Sequence, residues 1–388
     1  MKKVLFVIHS MGFGGAERSL INLLHELPQN RFMIDVLLLQ KRGGLLPQIP
    51  DGVRILDTPE ELERLYGPVH KGGRFAPTKF VGTVCSRIAR RTRKKQYAWR
   101  WKNFYKNKVA FFSEKYDTAI AYVGTEVMYY VRDRVYADRK LVWIHNDYRT
   151  AGYSREDDWS FLESMDGIVT VSERCKNVLI EEFPDFLDRI HCVENISSST
   201  LIKKRAEEFF PTEYQNVECR IVSIGRLEPQ KAFDLAVEAA ALLKENHVAF
   251  CWYFVGEGSM KKTLRRKIRK EGLDDCVMLL GARENPYPYI KNATVLVQSS
   301  RYEGKSVVLD EAKILAVPIV ATAYPTVADQ IREGKEGLIA EMSPQGIAEK
   351  VIALLGNKNL KNEIHAYLKK HDYGNQREVQ KYIELMDV

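Results

Sequence analysis

The chain has 388 residues, of which 45% are hydrophobic and 28% are charged, so it has the apolar content of a folded protein with two cores. No apolar run approaches the roughly 20 residues that a membrane-spanning helix needs. The six cysteines are scattered, with no Cys-x-x-Cys spacing, which argues against a zinc site or a disulfide framework and favours a reducing cytoplasm.

Short apolar runs alternate with helical patterns along the whole chain. The N-terminal run ends at His9 without a small-residue cleavage site, so we interpret it as a strand rather than a signal peptide. The predicted strands are 3–9, 33–39, 53–56, 118–123, 141–145 and 167–171 in the first half, and 220–224, 250–255, 277–280, 294–298, 318–321 and 337–339 in the second. Helical patterns lie between them, for example 16–26, 232–245, 260–271, 305–315 and 344–355. This alternation predicts an α/β fold with parallel sheets.

The polar segment 195–218 interrupts the alternation and marks a domain boundary. We predict a first domain of residues 1–196, joined by a C-terminal helix at 374–388, and a second domain of residues 197–373. In two doubly wound domains that face each other, ligands bind at the carboxyl ends of the strands.

Positive charge is concentrated in one segment. No acidic residue lies between Glu63 and Glu114, whereas residues 71–108 contain thirteen Lys and Arg; the rest of the chain has 46 basic and 51 acidic residues. Aromatic residues are interleaved with these charges at helical spacing. Three interpretations stay open: an anionic membrane or acceptor surface, a nucleic-acid surface, or a solvated helix face. The predicted patch consists of Arg87, Arg90, Arg91, Arg93, Lys94, Lys95, Trp99 and Trp101.

A glycine-rich loop follows the first strand and contains Gly14 and Gly15. Glycines here let backbone N–H groups approach an anion, although a plain tight turn would look the same. Glu17 stands where a dinucleotide fingerprint needs its third glycine, and residues 40–42 lack the acidic residue of that motif, so nicotinamide chemistry is disfavoured.

The second half opens with a strand that ends in Gly225, followed by Arg226 and Lys231. Both cations flank the carboxyl end of the strand, where they could hold a diphosphate as its leaving-group charge grows. Two exposed turn cations are the plainer alternative.

A third motif contains Glu303 and, eight residues later, Glu311. Eight residues of helix span about 12 Å, so these carboxylates cannot form one acid–base pair, but they can contact two hydroxyl-bearing groups of an extended ligand. We expect the backbone N–H groups of Gly304, Lys305, Ser306 and Val307 to open the intervening helix toward an anion.

Together these motifs resemble those of the retaining glycosyltransferases of family 4, which have the GT-B fold. The resemblance implies that Arg226 and Lys231 hold the donor diphosphate, that Glu311 binds ribose hydroxyls and that Glu303 faces the donor sugar. It also implies that the loop at Gly14 and Gly15 closes over the donor. In addition, it places His145 beside the transferred sugar and Arg283 beside the nucleotide base.

Lys305 departs from the family pattern, in which an aromatic residue or glycine is frequent, and so the donor sugar stays open. No Asp-x-Asp triplet occurs in the chain, so we predict transfer without a metal and without a cofactor beyond the nucleotide sugar, with UDP favoured.

The predicted function is retaining sugar transfer to a membrane-associated, lipid-linked saccharide acceptor in bacterial surface polysaccharide synthesis. The predicted location is the cytoplasmic face of the cell membrane, without a nucleic-acid partner. The alternatives are a soluble transferase acting on a small molecule or protein and, from another class, a basic nucleic-acid-binding protein.

Overall fold

The computed structural model describes residues 1–90 and 93–387, which divide into two compact units. Unit 1 contains residues 1–12, 16–195 and the C-terminal segment from 377, and unit 2 contains residues 13–15 and 196–376. The predicted assignment of an acceptor role to the first domain and a donor role to the second stays a prediction.

Unit 1 is built on a parallel sheet whose strands lie in the order β3-β2-β1-β4-β5-β6-β7. Its strands are β1 (Lys2–Ile8), β2 (Phe32–Leu38), β3 (Arg54–Ile55), β4 (Lys115–Ala121), β5 (Tyr136–Ile144), β6 (Gly167–Thr170) and β7 (Ile190–Cys192). The connecting helices are α1 (Gly15–Glu26), α2 (Glu60–Tyr66), α3 (Ala76–Ala89), α4 (Arg93–Arg100), α5 (Glu126–Arg134), α6 (Arg155–Leu162) and α7 (Glu173–Glu182). A π-helical segment, Trp101–Tyr105, follows α4.

Unit 2 repeats this design with strands in the order β10-β9-β8-β11-β12-β13, all parallel. Its strands are β8 (Arg220–Ile224), β9 (Cys251–Val255), β10 (Val277–Gly281), β11 (Val295–Gln298), β12 (Ile319–Thr322) and β13 (Gly337–Ala340). Its helices are α8 (Ser199–Ala206), α9 (Phe233–Glu245), α10 (Lys261–Lys270), α11 (Tyr287–Lys291), α12 (Val307–Ile314), α13 (Pro344–Gly356) and α14 (Lys358–Lys370).

Both faces of the unit 2 sheet are buried, which explains why its strands appear in the sequence as continuous apolar runs. Neighbouring residues of β8 illustrate this: Ile221 packs into one hydrophobic cluster and Val222 into another. Side chains alternate across a strand, so the two clusters lie on opposite faces of the sheet. Helices begin where polar caps allow it; the Ser343 side chain, for example, accepts a hydrogen bond from the backbone of Gly346 at the start of α13.

The last helix, α15 (Val379–Asp387), belongs to unit 1, which confirms the prediction that a C-terminal helix returns to the first domain. Its Tyr382 is fully buried and stacks on Trp143 of β5, with ring centroids 5.2 Å apart. The predicted strands all appear, but the three-residue strand β7 was missed.

No helix in the described part of the chain is both long and apolar enough to cross a membrane.

Candidate active site

Strands β8 and β11 lie side by side at the point where the unit 2 sheet reverses its strand order. Val295 pairs with Ile221 and Leu296 with Val222, so the two strands end close together. The segments that leave them in opposite directions open a crevice at their carboxyl ends, which is where doubly wound sheets bind ligands. The predicted Gly225 motif and the predicted Glu303 motif therefore meet at this crevice.

The turn after β8 needs glycine because the Lys231 side chain crosses it. A Cβ atom added to Gly225 would lie 3.3 Å from both Cδ and Cε of Lys231. Gly256, at the end of the neighbouring strand β9, approaches the Gly225 carbonyl so closely that a Cβ atom would lie 1.8 Å from that oxygen. These glycines let the Lys231 stem run back across the end of β8.

The ammonium of Lys231 lies 2.6 Å from Oε1 of Glu303. The side chains of both residues are largely buried, with exposed fractions of 15% and 7%. Ser300 Oγ also donates to the same carboxylate oxygen at 2.6 Å. One carboxylate oxygen of Glu303 therefore accepts from both an ammonium and a hydroxyl, so the crevice holds a fixed ion pair.

Buried polar side chains that the sequence analysis did not identify support this pair. Gln298, the last residue of β11, donates to Glu303 at 3.4 Å and accepts from Ser306 Oγ at 2.7 Å. The backbone carbonyl of Glu303 accepts from Thr326 at 3.1 Å. The polar run 298–300 directly after an apolar strand was the signal that could have identified these residues.

Helix α12 begins at Val307, two residues later than the sequence predicts, with Ser306 as its N-cap. The Ser306 N–H donates to Gln330 Oε1 at 2.7 Å, and Gln330 in turn donates to the Ser306 carbonyl. The prediction that the Ser306 N–H is available to an anion is therefore wrong, because a side chain from the segment after β12 already occupies it. Gly304, Lys305 and Val307 lie in or beside the same turn, and Glu311 is fully buried on α12.

Three charged residues lie close together along α12 and the turn that precedes it. Nζ of Lys305 lies 3.7 Å from one carboxylate oxygen of Asp310, and Nζ of Lys313 lies 3.5 Å from the other. Each of these side chains is at most 12% exposed, so two lysines flank Asp310 in a largely buried place.

Arg226 is exposed. Burial and the nearby Glu303 raise the pKa of the Tyr302 hydroxyl, and the charge of Arg226 partly offsets this rise. Arg283 follows β10 and is held by Glu213, with Nη2 at 2.9 Å from Oε1, and by the hydroxyl of Tyr289 at 3.0 Å. Its proposed contact with the nucleotide base stays a prediction.

In unit 1, His145 directly follows β5 and is partly buried. Its Nε2 lies 2.7 Å from the carbonyl oxygen of Tyr122, and its Nδ1 lies 3.1 Å from the side chain of Asn195. Burial lowers the pKa of His145 to about 4, so the ring is neutral near pH 7. Both ring nitrogens thus have partners within the protein, and the contact of His145 with a donor sugar stays a prediction.

The support of His145 extends to the first helix of the chain. Oγ of Ser19, on α1, lies 2.9 Å from the Asn195 side chain and 2.9 Å from the hydroxyl of Tyr122. Gly14, in the loop that precedes α1, is buried, and Gly15, the first residue of α1, is exposed. The role of this loop over a donor stays a prediction.

The predicted basic patch is only partly a surface. Trp101 is fully buried, and its indole N–H donates to Asp133 at 2.8 Å, so its assignment to a contact patch is wrong. Trp99 is half-buried, and Arg90 and Lys95 lie within 4.0 Å of Asp157 and Glu156 respectively. Arg87 is exposed on α3. Arg91 lies outside the described residues, as do the side chains of Arg93 and Lys94.

The side chains of the described residues form no group of three or more His, Cys, Asp or Glu suited to holding a metal ion. Metal-independent transfer stays a prediction. None of the six cysteines forms a disulfide in the described part of the chain.

Residues 204–371 match the family model of glycosyl transferases group 1. The chain resembles the crystal structure of Anabaena HepE in complex with UDP-glucose over 100% of both chains, with a TM-score of 0.69 and 16% identity. The fold is GT-B. A second GT-B neighbour, the crystal structure of TarM, has a TM-score of 0.69 at 14% identity and covers 100% of this chain and 99% of that one.

Two characterised relatives come from bacterial polymer synthesis. The chain is 28% identical over 228 residues to the poly(ribitol-phosphate) alpha-N-acetylglucosaminyltransferase of Staphylococcus aureus, which covers 56% of this chain and 43% of the relative. It is 24% identical over 223 residues to the amylovoran biosynthesis glycosyltransferase AmsD of Erwinia amylovora. This match covers 57% of this chain and 62% of the relative. The chain thus matches less than two thirds of the length of either relative.

Proposed function

We propose that this protein is a retaining glycosyltransferase that moves a sugar from a nucleoside diphosphate sugar, with UDP favoured, to an acceptor hydroxyl. The observation that carries the proposal is the ion pair of Lys231 and Glu303 at the switch point of the unit 2 sheet. A cation is thereby fixed next to a carboxylate, which in this proposal faces the donor sugar. The group 1 match over residues 204–371 and the names of the polymer-synthesising relatives support this proposal.

In the proposed reaction, the bond between the anomeric carbon and the diphosphate oxygen breaks and a bond to the acceptor oxygen forms. Negative charge grows on the departing diphosphate, and the cations of Arg226 and Lys231 stabilise it there. Such fixed charges lower the barrier because they are already in place before the reaction begins. No metal is needed in this scheme, since two cations supply the counter-charge.

The acceptor is proposed to be a lipid-linked saccharide at the inner face of the cell membrane. The support comes from α3, where Phe80, Val81, Val84 and Ile88 have exposed fractions between 40% and 83%. At 100° per residue these four positions fall within one side of the helix, and the exposed Arg87 borders it. An apolar stripe with a cation at its edge suits the boundary between lipid head groups and acyl chains. This stripe lies N-terminal to most of the residues of the patch predicted from sequence.

Donor binding can be tested first by thermal shift across UDP, GDP, ADP and their sugar conjugates. A ligand present at about 100 times its Kd stabilises a protein by roughly 2.7 kcal/mol, which is easily measured. The proposal expects the largest shift with UDP or a UDP-sugar, and turnover that survives a chelator. Absence of a shift with every nucleotide would refute it. The anomeric configuration of the product, read by NMR, tests retention.

A soluble transferase that modifies a small molecule or a protein is the second candidate. The exposed stripe on α3 argues against it, because such an enzyme has no use for a membrane contact. Equal activity toward detergent-free soluble acceptors and vesicle-bound lipid acceptors would favour this candidate instead.

A further inference from the structure

Helix α10 of unit 2 is a second cationic feature, which the sequence analysis did not single out. Seven of its ten residues are basic and none is acidic; the basic residues are Lys261, Lys262, Arg265, Arg266, Lys267, Arg269 and Lys270. Its two large apolar residues, Leu264 and Ile268, are buried at 1% and 3% exposure. The helix is therefore attached to the core by one side, and its other side presents charge to the surroundings.

Five of the seven basic residues share that outer side. At 100° per residue, Lys262, Arg265, Arg266, Arg269 and Lys270 fall within an arc of about 140°, and all five are exposed. These five residues extend over roughly 12 Å, the length of eight helical steps. They therefore offer several cations to one partner at the same time.

Most of the acidic residues around α10 pair with basic residues that lie beside this outer side rather than on it. Lys261 pairs with Glu257 at 2.5 Å, Lys267 pairs with Glu238, and Arg269 lies 3.8 Å from Asp274. Within the described residues, Lys262, Arg265, Arg266 and Lys270 have no carboxylate within ion-pair distance. These four residues, which we call the α10 stripe, carry uncompensated charge.

This arrangement is unfavourable for the helix itself. Like charges three and four residues apart repel each other, and Lys261 and Lys262 in the first turn oppose the positive end of the helix dipole, although the cations of the last turn are favourable to it. The fold needs only Leu264 and Ile268 from this helix, and neutral polar residues would serve on the outer side. A charge pattern that lowers helix stability without a benefit to packing indicates an external, anionic partner.

We propose that the α10 stripe binds the anionic head groups of a lipid membrane. The stripe contains no aromatic residue, whereas binding of single-stranded nucleic acid generally uses aromatic side chains for base stacking. The outer side of a helix is convex, and it can lie against a plane of charges. Because the stripe has no exposed apolar residue, the contact is electrostatic and stays at the level of the head groups. The proposal rests on the membrane location proposed above, but on different residues and in a different unit.

The test is vesicle flotation with the full chain. Vesicles of phosphatidylcholine alone are compared with vesicles that also contain phosphatidylglycerol. In the test variant, Lys262, Arg265, Arg266 and Lys270 are replaced by Gln, which keeps helix propensity. In the matched control, four exposed lysines of unit 2 on α8 and α14 are replaced by Gln, so the charge removed is the same; these are Lys203, Lys204, Lys369 and Lys370.

We expect the α10 variant to lose roughly 100-fold or more in affinity for the anionic vesicles, since each of the four cations near such a surface contributes about fivefold. The control variant should lose much less, and high salt should remove the difference between the variants. Equal binding by the α10 variant and the wild type, or an equal loss in the control, would overturn the proposal. So would an α10 variant with unchanged vesicle binding but a raised KM for the donor, which would make the stripe a nucleotide-steering surface.

The outcome can be separated from that of the proposed function. The thermal shift produced by UDP should be unchanged in the α10 variant, which also shows that the variant is folded. If the wild type binds no nucleotide but the two variants still differ on anionic vesicles, only the proposed reaction fails. If nucleotide binding and turnover hold but the α10 variant floats like the wild type, only this inference fails.

Discussion

Lys231 and Glu303 lie 72 residues apart in the sequence, yet Nζ of Lys231 lies 2.6 Å from Oε1 of Glu303. The pair forms because β8 and β11 are neighbours in the sheet, although β9 and β10 come between them along the chain. The doubly wound sheet thus brings together the Gly225 motif and the Glu303 motif, neither of which indicates a binding site by itself. The pair gives the crevice a cation and a carboxylate that hold one another in place.

Replacing Lys231 with Met is expected to lower kcat/KM by roughly 100-fold or more, because the leaving diphosphate loses a fixed cation. The free energy of unfolding should fall too, since Glu303 then keeps a buried charge without its counter-ion. Steady-state kinetics and urea denaturation measure the two effects. The double variant Lys231→Met with Glu303→Gln should recover part of the stability and none of the activity. Full activity in either variant would contradict the assignment.

Replacing Gly225 with Ala should weaken donor binding about tenfold and also lower the free energy of unfolding, because φ at Gly225 is +158°, a conformation that residues with a side chain rarely adopt. The new methyl group would lie 3.3 Å from carbons of the Lys231 side chain and would push its ammonium away from Glu303. Isothermal titration with UDP measures the change. Gly272→Ala is the matched control, because φ there is also positive, at +63°, and a methyl group would meet nothing within 4 Å. A loss of the same size in both variants would show that the position of Lys231 does not depend on Gly225.

The partly buried, neutral His145 should make the protein sensitive to acid. Above pH 6.5, the ordinary pKa of histidine, the ring is neutral in both the folded and the unfolded state. As the pH falls from 6.5 to about 4, the unfolded state takes up a proton that the folded state excludes, so stability decreases. The total loss from this group is about 3 kcal/mol at roughly 1.4 kcal/mol per pH unit.

Urea denaturation at a series of pH values tests this expectation. His145→Gln should lower stability at pH 7 but flatten its decline between pH 6.5 and 4. The exposed His371, replaced by Gln, is the control and should leave the slope unchanged. An unaltered slope in His145→Gln would mean that the ring is not buried in its neutral form.

The apolar stripe of α3 should give a membrane contact that resists salt. The double variant Phe80→Ser with Ile88→Ser removes side chains that are 62% and 83% exposed, so the free energy of unfolding should change little. Flotation on vesicles at high salt should nevertheless fall several-fold, because burial of each side chain in the lipid boundary is lost. The control Met33→Ser with Leu187→Ser removes two similarly exposed residues elsewhere in unit 1. Equal flotation of both variants would argue against α3 as the contact.

The sequence predicted the parallel sheets because buried strands leave continuous apolar runs that a single sequence displays. It missed β7, since Ile190–Cys192 is only three residues long and contains a histidine. It placed Gly225, Lys231 and Glu303 at strand ends, and strand ends of one sheet share an edge. It could not show that Lys231 pairs with Glu303, because that contact depends on the order of strands in the sheet.

Other errors came from side-chain partners that lie far away in the sequence. Trp101 has the helical spacing of a surface patch, but Asp133 provides a buried acceptor for its indole and draws it into the core. The Ser306 N–H was expected to be free, but Gln330 accepts from it. The cations of α10 went unnoticed because acidic residues elsewhere in the chain balance them in the overall charge. The first two cases required spatial neighbours that periodicity and composition do not provide, whereas the basic run of α10 was visible in the sequence itself.

The most direct test of the account is a crystal structure of the protein with UDP. The account predicts that the diphosphate lies at the carboxyl ends of β8 and β11, with the guanidinium of Arg226 and the ammonium of Lys231 within ion-pair distance of its oxygens. A diphosphate bound elsewhere, or one from which both cations point away, would contradict it.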